Sequence, residues 1–228
     1  MNIAIIPARS GSKGFKDKNI AIINGKTLIE YAISSALSAT KIDRVFISTD
    51  SSAYEKIALD AGAESLGLRP EHLSGDDAKT IDVVVNLLGN DSLSAVEHVV
   101  LLQPTSPLRD GADIDKCLNI AETTGESVVS VALIDDPHPF KLKKIVKGSL
   151  VPFIEGSSSE VNRQNLQSAF ALTGGIYVAM RSQLVEGRTF FSESTQPYIM
   201  NRFVNIDSEE DYDFLNFLIK TNKVRLVF

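Results

Sequence analysis

The sequence has little of what several classes of protein require. Cys117 is its only cysteine, which excludes an intrachain disulfide and indicates a reducing compartment. No apolar run approaches the roughly 20 residues that span a bilayer. Met1 leads straight into an apolar segment and a cationic loop, so a signal peptide is not expected. These absences predict a cytoplasmic protein that makes no contact with membranes.

Excess positive charge is missing as well. The net charge is −6, and general affinity for nucleic acid or for a membrane surface usually needs an excess of Lys and Arg. We therefore expect no nucleic-acid partner. A hydrophobic content of 43% in 228 residues is that of an ordinary globular protein with a sizeable core.

The positive charge that is present is concentrated in one loop. Residues 9–18 hold four cations and one anion, a local charge of +3, whereas the remaining residues sum to −9. The loop is rich in Gly and Ser and follows the strand-like run Ile3–Ile6, which Pro7 ends. Such a loop at the carboxyl end of a first strand is suited to a polyphosphate. The spacing of Gly11 and Gly14 matches neither a Walker A motif nor a dinucleotide fingerprint.

Apolar segments of strand length alternate with segments of helical periodicity along most of the chain. The predicted strands are residues 3–6, 44–48, 98–102, 127–134, 175–180 and 203–206, with a short one at 64–67. The predicted helices follow caps at Thr27, Ser52, Asp110 and Ser208, and one more covers residues 77–88. This alternation predicts a Rossmann-like α/β fold, with a mostly parallel sheet, flanking helices and a ligand site along the carboxyl ends of the strands.

Residues 135–168 interrupt this alternation. The segment contains a basic cluster at residues 141–144 and a polar run at residues 156–165, and its few apolar residues could not close a core alone. We interpret it as an excursion from one α/β domain, formed by residues 1–134 and 169–228. The excursion is either a lid or an arm that packs on another subunit.

Two long signatures make a family resemblance specific. The stretch Ile-Pro-Ala8-Arg9-Ser-Gly11-Ser-Lys13-Gly-Phe-Lys-Asp-Lys18-Asn19 resembles the opening signature of the acylneuraminate cytidylyltransferases. The stretch Leu-Gln103-Pro-Thr-Ser-Pro-Leu-Arg109 resembles their second signature. Shorter matches follow in the expected order, so that the resemblance covers essentially the whole chain: Arg69-Pro70, Gly-Gly-Ile-Tyr177, Phe190-Phe191 and Asn205-Ile-Asp207. The resemblance implies coupling of CTP to the anomeric hydroxyl of a nine-carbon keto acid sugar, with release of pyrophosphate.

The resemblance also implies roles for individual residues. Three would be catalytic: Arg9, Lys18 and Asp207. Because charge gathers on the phosphorus centre and the leaving pyrophosphate, the two cations would stabilise the transition state. The implied nucleotide-binding residues, of which the last three would read cytosine, are Ala8, Arg9, Gly11, Lys13, Lys18, Asn19, Arg69 and Thr80. The implied sugar-binding residues are Gln103, Tyr177, Phe190, Phe191, Lys141 and Arg163.

In this family the excursion forms the dimer and reaches into the neighbour's site. The resemblance therefore implies a homodimer in which residues 135–168 are the dimerisation arm. Lys141 and Arg163 lie on this arm and would be near the sugar carboxylate.

Magnesium is the expected cofactor, because it takes hard oxygen ligands and bridges phosphates. The family usually presents Asp-x-Asp where this chain has Asn205-Ile-Asp207. The oxygen of Asn205 can still ligate magnesium but carries no charge, so the site would rest mainly on Asp207 and the triphosphate. A second departure is Ala171, where many relatives carry Arg and Asn after the preceding Phe.

We predict a cytidylyltransferase that makes a CMP-nonulosonate, with N-acetylneuraminate as the expected sugar. One alternative is the same reaction on a legionaminic, pseudaminic or Kdo-type sugar. Another is a nucleotide-binding regulatory domain that kept the fold and lost turnover. The acceptor of the sugar hydroxyl's proton stays open between Asp207, a metal-bound water and solvent.

Overall fold

A computed structural model of the chain describes residues 1–11, 14–134 and 136–226. The strands in this part of the chain are β1 (Asn2–Pro7), β2 (Ile22–Ile23), β3 (Lys26–Thr27), β4 (Arg44–Ser48), β5 (His98–Leu101), β6 (Val128–Ile134), β7 (Lys143–Val146), β8 (Ser149–Pro152), β9 (Ala169–Met180) and β10 (Gln196–Ile199). The α-helices are α1 (Leu28–Leu37), α2 (Ser52–Asp60), α3 (Thr80–Leu88), α4 (Gly111–Thr124) and α5 (Glu209–Lys220). None of these helices is long and apolar enough to cross a membrane.

The central sheet has six strands in the order β10-β6-β9-β5-β1-β4. Neighbouring strands are parallel except at β9, which runs antiparallel to both β5 and β6. The predicted Rossmann-like, mostly parallel α/β sheet is therefore confirmed. The mixed direction arises because β9 returns from the excursion and enters the sheet between two strands that are already parallel to β1.

Helices cover both faces of the sheet, which explains why its central strands are apolar without alternation. In β1, Ala4 and Ile6 belong to one buried cluster, in which residues of α1 and α4 also take part. Ile3 and Ile5 belong to a second cluster on the other face, which includes the apolar side of α3. A strand buried on both faces needs apolar side chains at every position, as parallel sheets in α/β proteins show.

Side-chain caps fix the N-terminal ends of four of the five α-helices in the described part of the chain. Reciprocal hydrogen bonds of a capping box are present at Thr27, Asp110 and Ser208, as the sequence predicts. The cap of α2 is one residue earlier than predicted, at Ser51. The predicted start of α3 at Asp77 is also wrong, because the residues before Thr80 form a turn closed by a hydrogen bond of 3.3 Å from the Ala78 amide to the Gly75 carbonyl.

The last strand of the sheet is not where periodicity placed it. Residues 203–206 form no strand, and the edge position beside β6 belongs to β10 instead. The apolar residues Val204 and Ile206 are buried in a third cluster, against Leu215 of α5. Their apolar character therefore reflects packing under the C-terminal helix and not pairing in the sheet. Residues 64–67 contribute only a single bridge, between Glu64 and Phe46.

The excursion contains a hairpin of β7 and β8, between the end of β6 and the start of β9. Several large apolar side chains of its described residues are exposed, among them Ile145 at 75% and Leu150 at 69%. The division of the chain into a domain and an arm, and the part of the arm in a dimer, stay predictions.

Candidate active site

A cavity of about 400 Å³ opens where the chain leaves β1 and β5 at their carboxyl ends. This is the edge at which ligands bind in open α/β sheets. The cavity brings together eight residues that the resemblance assigned to the site, although they come from segments far apart in sequence: Arg9, Lys18, Asn19, Arg69, Thr80, Gln103, Asn205 and Asp207.

The cationic loop is held at its start by the neighbouring strand. The amide of Ala8, which is fully buried, donates to the carbonyl of Ser48 over 2.9 Å. Asp50, directly after β4, accepts from the amide and the hydroxyl of Ser10 at 2.7 and 2.8 Å. Burial opposes ionisation of Asp50, but these hydrogen bonds outweigh it and hold its pKa below the ordinary value. The carboxylate thus fixes the position at which Arg9 enters the cavity.

The far end of the loop lies against the segment that carries Asp207. A Cβ atom on Gly14 would lie 2.8 Å from the backbone oxygen of Asp207, closer than side chains tolerate. Asp17 has a left-handed conformation, with φ of 53°, and its carboxylate accepts from the hydroxyl of Tyr54 over 2.8 Å. Glycine at position 14 therefore allows Lys18 and Asp207 to come together. Gly11 is exposed at the loop surface and Lys13 lies outside the described residues.

Both predicted catalytic cations form ion pairs. Arg9 Nη2 lies 2.7 Å from Asp76 Oδ1, and Lys18 Nζ lies 2.7 Å from Asp207 Oδ1. The side chains of Arg9 and Asp76 are 31% and 39% exposed, so water and a bound anion can compete for this pair. An incoming polyphosphate would therefore exchange carboxylate partners for phosphate oxygens.

The residues predicted to read a base are held by the backbone around them. Asn19 is buried, and its amide nitrogen donates to the carbonyl of Arg9 over 3.0 Å. Arg69 donates from Nε and Nη2 to Ser48, and burial lowers the pKa of its guanidinium. These hydrogen bonds use the nitrogen of the Asn19 amide and two of the three nitrogens of Arg69. The Asn19 oxygen remains as an acceptor and Arg69 Nη1 as a donor. These are the two functions that complement an exocyclic amine and a ring acceptor of a pyrimidine.

The loop after β5 is rigid because Arg109 is buried inside it. One Arg109 nitrogen, Nη1, donates to the carbonyls of both Gln103 and Ser106, and the residue is 1% exposed. Burial without a carboxylate lowers the pKa of Arg109 to about 9. Against this loop, Gly174 has a φ of +71°, and a Cβ there would lie 2.7 Å from Gln103 Oε1 and 2.8 Å from Ser106 Oγ. These contacts hold the loop of the second signature, and with it the start of the Gln103 side chain, in place.

Asn205 and Asp207 face each other at the rim of the cavity. Asn205 Nδ2 donates to Asp207 Oδ2 over 2.6 Å, while Asn205 Oδ1 lies 3.1 Å from Ser106 Oγ. Within the described ranges there is no group of three or more His, Cys, Asp and Glu side chains that could hold a metal. A single exposed carboxylate beside a phosphate site still fits magnesium, which commonly binds one or two carboxylates together with substrate phosphates.

The predicted sugar residues fall into three groups. Gln103 lines the cavity. Tyr177 packs against Phe190 and Phe191, with ring centroids 5.9 and 6.3 Å apart, and Phe190 is a core residue at 6% exposure. Lys141 is exposed on the excursion and is not among the described residues that line the cavity. The side chain of Arg163 lies outside the described part of the structure.

Sequence reasoning missed several residues that shape the site: Asp50, Asp76, Ser106 and Gly174. Asp50 carries the one usable signal, because an acidic residue directly after a strand end faces the same edge as the cationic loop. Asp76 pairs with Arg9, and Ser106 donates to the carbonyl of Thr173, in each case across 67 positions of sequence, which no local pattern reveals.

The family comparison and the curated relatives agree with each other. Residues 3–225 match the family described as "Cytidylyltransferase". The chain is 34% identical over 230 residues to the CMP-N,N'-diacetyllegionaminic acid synthase of Legionella pneumophila, covering 99% of each chain. It is 33% identical to the N-acylneuraminate cytidylyltransferase of Escherichia coli, covering 93% of this chain but only 50% of that one. It is 28% identical to the pseudaminic acid cytidylyltransferase of Campylobacter jejuni over 97% of each chain.

Solved structures agree on the fold. A CMP:2-keto-3-deoxy-manno-octonic acid synthetase, complexed with CTP, superposes with a TM-score of 0.73 at 15% identity, covering 97% of this chain and 99% of that one. A 4-diphosphocytidyl-2C-methyl-D-erythritol synthase superposes with a TM-score of 0.64 at 14% identity, covering 96% of this chain and 98% of that one.

Proposed function

The chain belongs to the cytidylyltransferase family, and on this premise we propose that it couples CTP to a nonulosonic acid, a nine-carbon keto acid sugar. The products are the CMP-sugar and pyrophosphate. The observation that carries the proposal is the cavity itself, which combines two cations, Arg9 and Lys18, with the anchored pair Asn19 and Arg69. Relatives that cover nearly the whole chain are named for this reaction on legionaminic and pseudaminic acids.

Different residues serve the phosphates and the base of CTP in the transfer. The anomeric hydroxyl of the sugar loses its proton to Asp207 or to water, and its oxygen forms a bond to the α-phosphorus of CTP, while the bond from that phosphorus to the bridging oxygen breaks. Negative charge grows on the leaving pyrophosphate, where Arg9 and Lys18 oppose it. Asn19 accepts from the exocyclic amine of cytosine, Arg69 donates to its ring acceptors, and Thr80 lines the same cavity.

Magnesium completes the proposal as cofactor. Asp207 would hold it together with phosphate oxygens of CTP, and the ion would supply positive charge beside the triphosphate. The side chain of Asp207 is 64% exposed, which leaves room for such a ligand.

Two sugars are the leading candidates. N-acetylneuraminate is the sugar that the sequence signatures predict, and relatives named for it are 31–33% identical but about twice as long as this chain. N,N'-Diacetyllegionaminate is favoured by one specific observation, the match over 99% of both chains to a synthase named for that sugar.

We further propose a homodimer formed by the excursion. The support is the exposed apolar surface of the hairpin, which is unusual for a monomer. Lys141 is not among the described residues that line the cavity, and a second copy of the chain would bring it to a sugar bound there.

The test is pyrophosphate release with CTP and magnesium in the presence of N-acetylneuraminate, N,N'-diacetyllegionaminate, pseudaminate or Kdo. We expect release with one nine-carbon sugar and a CMP-sugar of matching mass, and none from an Arg9→Met variant. Binding of CTP without release for any sugar would overturn the proposal and support a nucleotide-binding regulatory domain.

A further inference from the structure

Asn205 occupies a position between a buried hydroxyl and an exposed carboxylate. Its amide oxygen lies 3.1 Å from Ser106 Oγ, and its amide nitrogen lies 2.6 Å from Asp207 Oδ2. The other oxygen of Asp207 pairs with Lys18 Nζ at 2.7 Å. A continuous chain of polar contacts therefore runs from the buried loop after β5, through Asn205 and Asp207, to a predicted catalytic cation.

The carboxylate determines which way the Asn205 amide faces. A carboxylate can only accept hydrogen bonds, so the group that meets Asp207 at 2.6 Å must be the NH₂ of Asn205. The amide oxygen is then directed to Ser106, whose single hydroxyl hydrogen is shared with the carbonyl of Thr173 at 2.9 Å. Ser106 is 4% exposed and lies in the buried loop, and because a hydroxyl can donate or accept, the Asp207 carboxylate is the partner that sets the orientation of the Asn205 amide.

We propose that Asn205 is a positioning residue, which holds Asp207 in place against Lys18 through its NH₂ group, and that it is not a ligand of the metal. In this arrangement the nitrogen of Asn205 faces the carboxylate and its oxygen is directed away from it, toward Ser106, so no Asn205 atom that could coordinate a cation faces Asp207. The inference rests on the proposed function for the reaction that Asp207 serves, but the contacts themselves do not depend on the sugar.

An amide at position 205 interacts with Asp207 differently from a carboxylate. A carboxylate at position 205 would lie within 3 Å of Asp207, and two ionised carboxylates at that distance repel each other unless a cation or a proton joins them. An amide at this position attracts Asp207 instead. The described pair is therefore ordered before any metal binds, and Asp207 is left as the one carboxylate available to the ion.

Metal affinity separates a positioning residue from a ligand. We would titrate Mn²⁺ alone into the metal-free protein and follow the free ion by electron paramagnetic resonance, for the wild type and for Asn205→Ala, Asn205→Asp and Asp207→Ala. We expect Asn205→Ala to weaken Mn²⁺ binding about tenfold, the usual effect of removing a residue that orients a ligand. Asp207→Ala should weaken it further, because the ligand itself is lost. Weakening by Asn205→Ala to the extent seen for Asp207→Ala would overturn the proposal.

Thermal unfolding in EDTA supplies a readout that needs neither metal nor sugar. Asn205→Asp should have a lower Tm than Asn205→Ala in EDTA, because it adds repulsion as well as removing the hydrogen bond. A Tm for Asn205→Asp equal to that of the wild type in EDTA would contradict the contact between the NH₂ group and Asp207.

Turnover tests the positioning role. At saturating Mn²⁺, Asn205→Ala should lower kcat for pyrophosphate release about tenfold to a hundredfold, because Asp207 is no longer held in place. Ser106→Ala should lower kcat in the same direction, whereas Ser130→Ala, which removes a hydroxyl from the same buried network without touching Asn205, should leave kcat near the wild-type value. Unchanged kcat in Asn205→Ala would overturn the role. If no sugar supports turnover by the wild type, the proposed function fails while the Mn²⁺ and unfolding measurements still decide the orientation of Asn205.

Discussion

Lys18 lines the cavity and forms an ion pair with Asp207. It begins the short 3₁₀ helix Lys18–Ile20 and is 20% exposed, with its ammonium at the carboxylate of Asp207. Lys18→Ala should lower kcat for pyrophosphate release by an amount equivalent to about 2–4 kcal/mol, the usual loss for one preorganised electrostatic contact. Steady-state kinetics with saturating CTP and sugar measure this directly.

Lys16 offers a matched control for that substitution. It lies in the same loop and is exposed, and it is not among the described residues that line the cavity. Lys16→Ala removes the same charge from the loop but should change kcat little. Equal losses in the two variants would show that the loop acts through its net charge and not through a contact made by Lys18.

Asp76 competes with the nucleotide for Arg9. The ion pair of 2.7 Å must open before Arg9 can face a triphosphate, and exposed pairs of this kind contribute about 0.2–1 kcal/mol. Asp76→Asn should therefore tighten CTP binding by about twofold to fivefold, as measured by calorimetry without sugar. Asp77→Asn removes the same charge from the neighbouring exposed position and should have a smaller effect. Weaker CTP binding in Asp76→Asn would mean that Asp76 positions Arg9 for the nucleotide.

The sequence predicted site residues through the motifs that resemble the family, but it missed Asp50, although Asp50 follows a strand end. Arg9, Asn19 and Gln103 follow apolar strands, and the structure places them in one cavity. Asp76 could not be predicted, and Ser106 lies inside the second signature without a predicted role, because both depend on contacts with segments distant in the chain. Asn205 was predicted as a site residue from its signature, but its hydrogen-bond partners depend on a buried loop that the signature does not describe.

At the scale of elements, Gly174 determines how β9 passes the loop after β5. Its φ of +71° is costly for any residue with a Cβ, and a Cβ would also collide with Gln103 and Ser106. Gly174→Ala should lower the free energy of unfolding in urea by more than the roughly 1–2 kcal/mol that left-handed backbone alone costs. It should also raise KM for the sugar, because Gln103 must move.

Gly148→Ala separates the two causes. Gly148 has a similar φ of +79°, in the turn between β7 and β8, but a Cβ there would meet no atom within 4 Å. This variant should lose only the backbone contribution and keep its KM for the sugar. Equal destabilisation in both variants would show that the loop yields to the extra methyl group.

Elements with local start signals were predictable, whereas elements defined by their neighbours were not. The capping boxes of α1, α4 and α5 depend on residues three positions apart, so the sequence alone revealed them. Residues 203–206 have the composition of a strand, yet they lie under α5 while β10 takes the edge of the sheet. Burial makes a segment apolar whether it pairs in a sheet or packs under a helix, and periodicity does not distinguish the two.

At the scale of the whole molecule, the described part of the excursion leaves large apolar side chains exposed in a single chain. Ile145 and Leu150 are more than two-thirds exposed. Large apolar side chains on a two-stranded hairpin are unfavourable in water unless another surface covers them. The double substitution Ile145→Asp and Leu150→Asp should convert a dimer into monomers, as measured by light scattering after size exclusion. Leu59→Asp on α2, at a site 48% exposed, is the control and should leave the mass unchanged. A wild-type protein of monomeric mass would contradict the prediction.

Mixing two inactive variants tests whether the dimer also completes the active site. Asp207 lies at the rim of the cavity, whereas Lys141 is on the excursion. If Lys141 acts on the partner's cavity, a mixed dimer of Asp207→Ala and Lys141→Ala chains contains one site with both substitutions and one site with neither. Pyrophosphate release should then reappear when the two variants are unfolded and refolded together. If Lys141 serves the cavity of its own chain, each site of the mixed dimer carries one substitution and the mixture stays as inactive as its components.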